Sequence, residues 1–402
     1  MSDAQRANSR NAVIAGFLGW TLDAFDYFIL TYVLGQVAAE FHKSIAAMTL
    51  TLTASLVMRP VGAVLFGLLA DRYGRRMPLM LNVLCYSVIE ILSGFAPSYA
   101  AFFALRLLYG IAMGGEWGVG ASLVMESVPT KWRGIISGVL QEGYALGNLL
   151  GAIAFWTIFP HWGWRVMFFV GGLPALLTLF IRAKVKESDA WRAEAVARKN
   201  WSEYFRAVGA NWKRFVYLVG LLAMMNCMSH GTQDLYPTFL QKEHHFDPRI
   251  TAILTAISMV GAIAGGTLFG LYSDRRGRRR AMITAALLGL LLIPAWVFAP
   301  PVVALMAAAA FLMQFMVQGA WGVIPVHINE LSPGALRGFF PGFAYQLGVL
   351  VAAPVPWVEA LMSRHLGYGA AMGTLAAAAF VVGSIVIAAG PEAHRVAFGA
   401  EG

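Results

Sequence analysis

Charge is scarce in this sequence. Only 13% of its 402 residues are Asp, Glu, Lys or Arg, 58% are hydrophobic, and the mean hydropathy is +0.64. A water-soluble domain carries about a quarter charged residues. Cysteine is nearly absent: Cys85 and Cys227 both fall in apolar stretches, so no disulfide framework is implied. No metal-ligand cluster, nucleophile elbow or phosphate loop stands out, which argues against an enzyme and leaves no cofactor or metal to expect. The opening MSDAQRANSR is polar and lacks a signal-peptide cleavage pattern, so the first apolar stretch is expected to stay as helix 1.

What is there is apolar sequence in runs of roughly 20 residues, the length that crosses a bilayer. Twelve such runs are expected, near 12–34, 47–70, 77–96, 99–125, 132–158, 164–182, 214–240, 250–272, 280–299, 301–328, 337–362 and 368–389. The expected fold is an all-α membrane protein with twelve transmembrane helices. An N-terminal half over 1–182 and a C-terminal half over 214–402 are joined by a polar linker over 183–213, rich in Lys, Arg, Glu and Trp and suited to an amphipathic interfacial helix.

The net charge of +9 does not imply nucleic acid. Of 30 Lys and Arg, 23 fall in the N-terminus, the even-numbered interhelical loops and the C-terminus. Five fall in the odd-numbered loops (Lys43, Arg165, Lys242, Arg249 and Arg364), and Arg59 and Arg106 lie within helices. Basic residues favour the cytoplasmic side, so both termini are expected in the cytoplasm of a chain crossing the cell's inner membrane.

The halves repeat. Gly67-Leu-Leu-Ala-Asp71-Arg-Tyr-Gly74-Arg75-Arg76 returns as Gly270-Leu-Tyr-Ser-Asp274-Arg-Arg-Gly277-Arg278-Arg279, an offset of 203 (274 − 71). Trp117-Gly118, Glu126, Pro129, Arg133-Gly134 and Gly138 return as Trp321-Gly322, Glu330, Pro333, Arg337-Gly338 and Gly342, an offset of 204 (330 − 126). Two six-helix halves related by a pseudo-two-fold axis suit alternating access, with the halves rocking about a central site. The G-x-x-x-D-R-x-G-R-R loop between helices 2 and 3 resembles the signature loop of the major facilitator superfamily, over essentially the whole chain.

This loop has a physical reading. The start of helix 11 offers free N–H groups and a positive dipole end, and Asp71 is placed to meet them. By pseudo-symmetry Asp274 faces the start of helix 5, Arg75 pairs with Glu126, and Arg278 with Glu330; Arg133 and Arg337 complete the expected gate. The glycines Gly110, Gly114 and Gly118, and Gly143, Gly147 and Gly151, read as close helix contacts.

Ionisable groups at membrane depth are costly and usually functional. Asp23 and Asp26 on helix 1 and Arg59 on helix 2 sit near mid-membrane, where an Asp–Arg pairing fits either a structural or a functional role. Arg106 and Glu116 lie on helix 4, and Glu90 on helix 3 has no evident partner. Helix 7 is the most polar: Asn226, His230, Gln233 and Asp234 share one face, followed by Pro237. This stretch, N-x-x-[ST]-H-x-[ST]-Q-D-x-x-x-T, resembles the helix 7 signature of Jen-type monocarboxylate:proton symporters in the sialate:proton symporter family, matching at Asn226, Ser229, His230, Thr232, Gln233, Asp234 and Thr238. The resemblance implies a lactate- or pyruvate-like acid carried inward with a proton.

The chemistry of the residues agrees with an anionic cargo. A carboxylate leaving water needs cations or donors, and Arg59, Arg106, His230, Asn226, Gln233 and Gln346 are available. Inward anion movement against an inside-negative potential is opposed by about 2.3 kcal/mol per charge per 100 mV, and one proton cancels that charge. The proton sites expected, in order, are Asp234 with His230, then Glu116, then Asp23 or Asp26. The expected partners are therefore a small organic anion, a proton and the lipid bilayer, with the chain acting as a monomer. Rival readings are a carrier of sialic or aromatic acids and a transporter-fold nutrient sensor, against which the short tails speak.

Overall fold

A computed structural model describes residues 3–194, 201–394 and 396–398, and every regular element among them is helical. Helices 1 (Asp3–Glu40), 2 (Ile45–Tyr73), 3 (Arg76–Gly94), 8 (Pro248–Arg276), 9 (Arg278–Val297) and 12 (Tyr368–Ala389) are continuous. Helices 4 (Tyr99–Met113, Glu116–Ser127), 7 (Trp212–Gln233, Tyr236–Lys242), 10 (Val303–Trp321, Ile324–Leu331) and 11 (Phe340–Ala352, Val355–Leu366) are each broken in two. Helix 5 runs through Arg133–Gln141 and Gly143–Thr157 to residue 162; Gly163, at φ 72°, then breaks Phe159–Val170, and helix 6 takes 164–170 and Ala175–Lys184.

Ten of the helical stretches are long and apolar enough to span a membrane unaided. Helices 4 and 5 are not among these ten. Helix 1 starts well before its apolar run and helix 8 overshoots its own at both ends, because hydropathy marks where lipid begins and not where a helix stops. Local chemistry sets several starts: Ser44 accepts from the Ala47 N–H, Ser98 from Ala101, and Asp247 from Arg249 and Ile250. The turns from helix 2 to 3 and from 8 to 9 each place a glycine, Gly74 and Gly277, at φ 97°, where a side chain is strained.

The two halves meet mainly at the end bearing the 2–3 and 8–9 loops, here termed the charged end. The first segment of helix 5 lies on helix 8, helix 2 lies on helix 11, and the second segments of helices 4 and 10 fill the space between. Glycines let backbones touch there: Gly134 faces Gly270, Gly138 faces Gly266, and Gly118 faces Gly342. Gly110 and Gly114 lie instead on the backbone of Ser55 and Arg59, inside the first half, while Gly143, Gly147 and Gly151 lie on helix 1.

The 183–213 linker holds two short helices, Asp189–Glu194 and Trp201–Ala210. They are held by the charged end: Trp191 Nε1 donates to the Asp71 carbonyl at 2.9 Å, and Tyr204 Oη donates to Asp71 Oδ2 at 3.0 Å.

Overpacking a close contact costs about 1–3 kcal/mol. Gly114→Leu should therefore lower the melting temperature of the purified protein by several degrees, whereas Gly35→Ala, with open space around it, should leave it unchanged. Equal melting of the two variants would contradict the helix 2–helix 4 contact.

Candidate functional site

At the charged end, Asp71 accepts hydrogen bonds from the N–H groups of Gly338 (2.7 Å) and Phe339 (3.1 Å) in the other half. Arg75 Nη1 donates to the same carboxylate at 2.7 Å, and Arg75 Nη2 lies 2.8 Å from Glu126 Oε1. The mirror set repeats this. Asp274 accepts from Gly134 (2.9 Å) and Ile135 (3.1 Å), Arg278 Nη1 donates to Asp274 at 2.8 Å, and Arg278 Nε donates to Glu330 at 3.0 Å. Cross links complete it: Arg337 Nη1 stands 3.5 Å from Glu126, Arg133 Nη1 stands 4.0 Å from Glu330, and the Phe398 ring lies under both arginines. All eight side chains expected at the gate are thus brought into two related clusters; seven of the residues are buried, and the Glu126 side chain is shielded as well.

Two further residues take part that sequence reasoning missed. Glu187 accepts from the N–H groups of Arg75 and Arg76, and Glu392 accepts from those of Arg278 and Arg279, capping helices 3 and 9. Their repeat, an offset of 205 (392 − 187), was the signal available in the sequence.

Deeper in the first half is a set of buried charges. Arg59 Nη2 stands 3.6 Å from Asp23 Oδ2, too far for a hydrogen bond, and the Nε and Nη2 of Arg59 have no hydrogen-bond partner among the described residues. Asp23, Asp26 and Glu116 are fully buried, and none of their carboxylate oxygens has a hydrogen-bond partner there either. Glu90, for which the sequence offered no partner, binds Arg106 at 2.7 Å. Arg106 is also packed against the rings of Tyr109, Phe102 and Phe168 and is 1% exposed. This differs from the expectation of a free substrate anchor: the guanidinium is engaged through Nη2 and sealed, with its Nε unpartnered among the described residues, while Arg59, with Nε and Nη2 both unpartnered there, is the less bonded of the two.

Helix 7 splits its polar stripe. Asn226 is buried and donates to its own helix at the Leu222 carbonyl (2.8 Å), and Gln233 Nε2 donates to Gln314 Oε1 at 2.7 Å. His230 Nδ1 and Asp234 Oδ2 stand 2.9 Å apart, with both side chains 35% exposed, where helix 7 breaks before Tyr236. Gln346 of helix 11 is buried and donates to the Gly114 carbonyl at 3.2 Å.

An aromatic floor lies between the halves: Trp117 and Tyr345 are 4.4 Å apart, Trp20 stacks on Tyr144 at 5.7 Å, and Trp321 meets Tyr345 edge-on at 6.0 Å. The floor went unread because each ring sits singly in a different helix, although Trp117 and Trp321 are partners in the repeat. Glu359 was missed too; it is fully buried on helix 11 and lies against Gly231 of helix 7. No group of His, Cys, Asp or Glu among the described residues is arranged to hold a metal.

Known proteins give this arrangement a family. Residues 10–206 match the family model described as "Sugar (and other) transporter", and residues 235–400 match "Major Facilitator Superfamily". The chain is 30% identical to a "Probable 4-methylmuconolactone transporter" of Cupriavidus pinatubonensis, over 95% of this chain and 90% of the relative. It is 29% identical to a "Carboxylic acid transporter protein homolog" of Saccharomyces cerevisiae, over 87% of this chain but only 60% of that relative's length. A solved proton:xylose symporter, XylE, shares the fold at a TM-score of 0.78 and 18% identity, with 98% of each chain covered. The chain therefore belongs to the major facilitator superfamily and is a multi-pass membrane transporter.

Proposed function

We propose that this chain carries a small organic acid together with a proton by rocking its halves about the Arg59 region. The observation that carries the reading is Arg59, a buried guanidinium deep in the first half with donors unmatched among the described residues. A carboxylate supplies the acceptors that those donors lack. The first-choice cargo is a short monocarboxylate of the lactate or pyruvate kind. A second reading, a flat unsaturated or aromatic acid, draws support from the floor formed by Trp20, Trp117, Tyr144 and Tyr345. The charged end is placed at the cytoplasm, with both termini, in the cytoplasmic membrane, and the chain acts as a monomer. The present conformation is then closed inside and faces outward.

Charge counting supports the proton. Among the described residues, Asp23, Asp26, Glu90 and Glu116 face only Arg59 and Arg106, so the buried set is neutral when two protons are held (4 − 2 = 2). His230 with Asp234 is the first-choice coupling pair because it is exposed and hydrogen-bonded, so it can exchange a proton before the acid binds. The gate then holds the protein outward-facing through Asp71 and Asp274.

Three sets of variants and a competition panel test this. Asp71→Asn weakens the cross-half contact and should raise labelling of engineered cytoplasmic cysteines while lowering labelling on the outer side; unchanged labelling on both sides would argue against a gate. Arg59→Lys keeps the charge but loses the planar fork, so half-saturation for the acid should rise roughly tenfold or more, and Arg59→Ala should abolish uptake. A competition panel of lactate, pyruvate, benzoate and muconate in the same assay separates the two cargo readings. Asp234→Asn should stop uphill accumulation driven by a pH gradient but preserve exchange of labelled for unlabelled acid. If this variant still concentrates acid, the coupling proton lies elsewhere, and Glu116 is the next residue to replace.

A further inference from the structure

Two seams join the halves at the charged end, helix 5 against helix 8 and helix 2 against helix 11, and they are copies related by the 203 and 204 offsets. On helix 5 the seam residues come every fourth position: Gly134 against Gly270, Gly138 against Gly266, and then Glu142, whose Oε1 also approaches Gly266. On helix 11 the equivalent positions are Gly338, Gly342 and Gln346 (142 + 204 = 346). One seam thus ends in an acid, and the other in its uncharged isostere. Gln346 Nε2 donates to the Gly114 carbonyl of the opposite half. The repeat partner of Gly114 is Gln318 (114 + 204), whose carbonyl stands 3.4 Å from the same point beside Gly266 that Glu142 approaches.

An ionised carboxylate has no donor to offer that carbonyl, and a protonated one does. Glu142 is buried, and its Oε1 has no hydrogen-bond partner among the described residues. Nor does any charge among them stand against it from the elements that surround it. Helix 8 presents Gly266, with Asp274 two turns away and held by Arg278. Helix 10 presents Gln318, helix 1 presents Trp20 and Thr21 to the adjacent Gly143, and on helix 5 itself Arg133 lies nine residues away against Glu330.

We propose that Glu142 is a proton-binding site tied to the closed seam: it holds a proton while helices 5 and 8 touch, and loses it to water when they part. The proton takes the place of the second amide hydrogen-bond donor that Gln346 supplies in the other seam. Binding favours the closed charged end at low pH, and ionisation favours its opening as pH rises. This inference rests on the rocking of the halves and not on the identity of the cargo.

The test uses Ser137, which is fully buried in the same seam and accepts from the Val326 N–H of the other half at 3.0 Å. Ser137→Cys is made in the full chain with Cys85 and Cys227 replaced by serine, and the protein is held in lipid nanodiscs. The rate of reaction with N-ethylmaleimide is measured from about pH 6 to about pH 9, normalised at each pH to the denatured protein. The normalised rate should rise about tenfold across this range with Glu142 present, and should be flat in E142Q. The same flat profile is expected of E142M, which removes the acid without supplying an amide. A rise in E142Q or E142M equal to that of the parent overturns the proposal. If the S137C parent reacts at no pH, the proposal falls as well, together with the rocking itself, which distinguishes the two failures.

Discussion

The carboxylate of Asp71, held by two backbone N–H groups of the opposite half, is the contact on which the closed arrangement depends. It places a full negative charge on the free donors where helix 11 begins, and Asp274 does the same for helix 5. Neither carboxylate could be buried alone. Arg75 and Arg278 bind them from one side and reach Glu126 and Glu330 on the other, and with Arg337 beside Glu126 and Arg133 beside Glu330 each cluster is matched in charge. Removing one partner of such a set typically costs about 3–5 kcal/mol, whereas separating the whole set into water costs far less. A latch of this kind holds firmly when dry and releases when the halves part, as a transporter cycling between two states requires.

The same rule, applied deeper, gives a different result. Near the centre the acids outnumber the arginines, and several carboxylate oxygens have no partner among the described residues. In the proposed cycle such incompleteness has a use: the missing charge and donors are supplied by cargo and protons as they bind. Arg106 with Glu90 is the completed pair and is packed by three rings, which fits a structural post; Arg59 with Asp23 is the loose one. The proposed cycle places the chemistry at the loose pair and at His230–Asp234, with the rings of helices 1, 4, 5 and 11 shaping what fits between them.

Much of this was legible in the sequence, for a physical reason. Lipid forces apolar runs of set length, and the duplication wrote the gate twice, so Asp71, Arg75 and Glu126 could be paired before any coordinates. Depth along a helix could be counted, which put Asp23 and Arg59 together. What could not be counted was rotation about each helix axis. Arg106 turns towards Glu90 on helix 3, Gln233 turns towards Gln314 on helix 10, and Asn226 turns back on its own helix. Helix breaks were only partly visible: Pro237 marked one, but helix 7 stops at Gln233, ahead of it. Glu142 was hidden for another reason. Its meaning lies in the comparison with Gln346, and a repeat search rewards positions that match, not those that differ.

The central claim is that protons and an organic acid cross together. The most direct test is uptake of a labelled acid into proteoliposomes holding the purified chain, with the membrane potential clamped near zero and the outside made more acidic. The account predicts transient accumulation above the external concentration, abolished by a protonophore. Uptake that only equilibrates, at the same rate with and without the pH gradient, would contradict it.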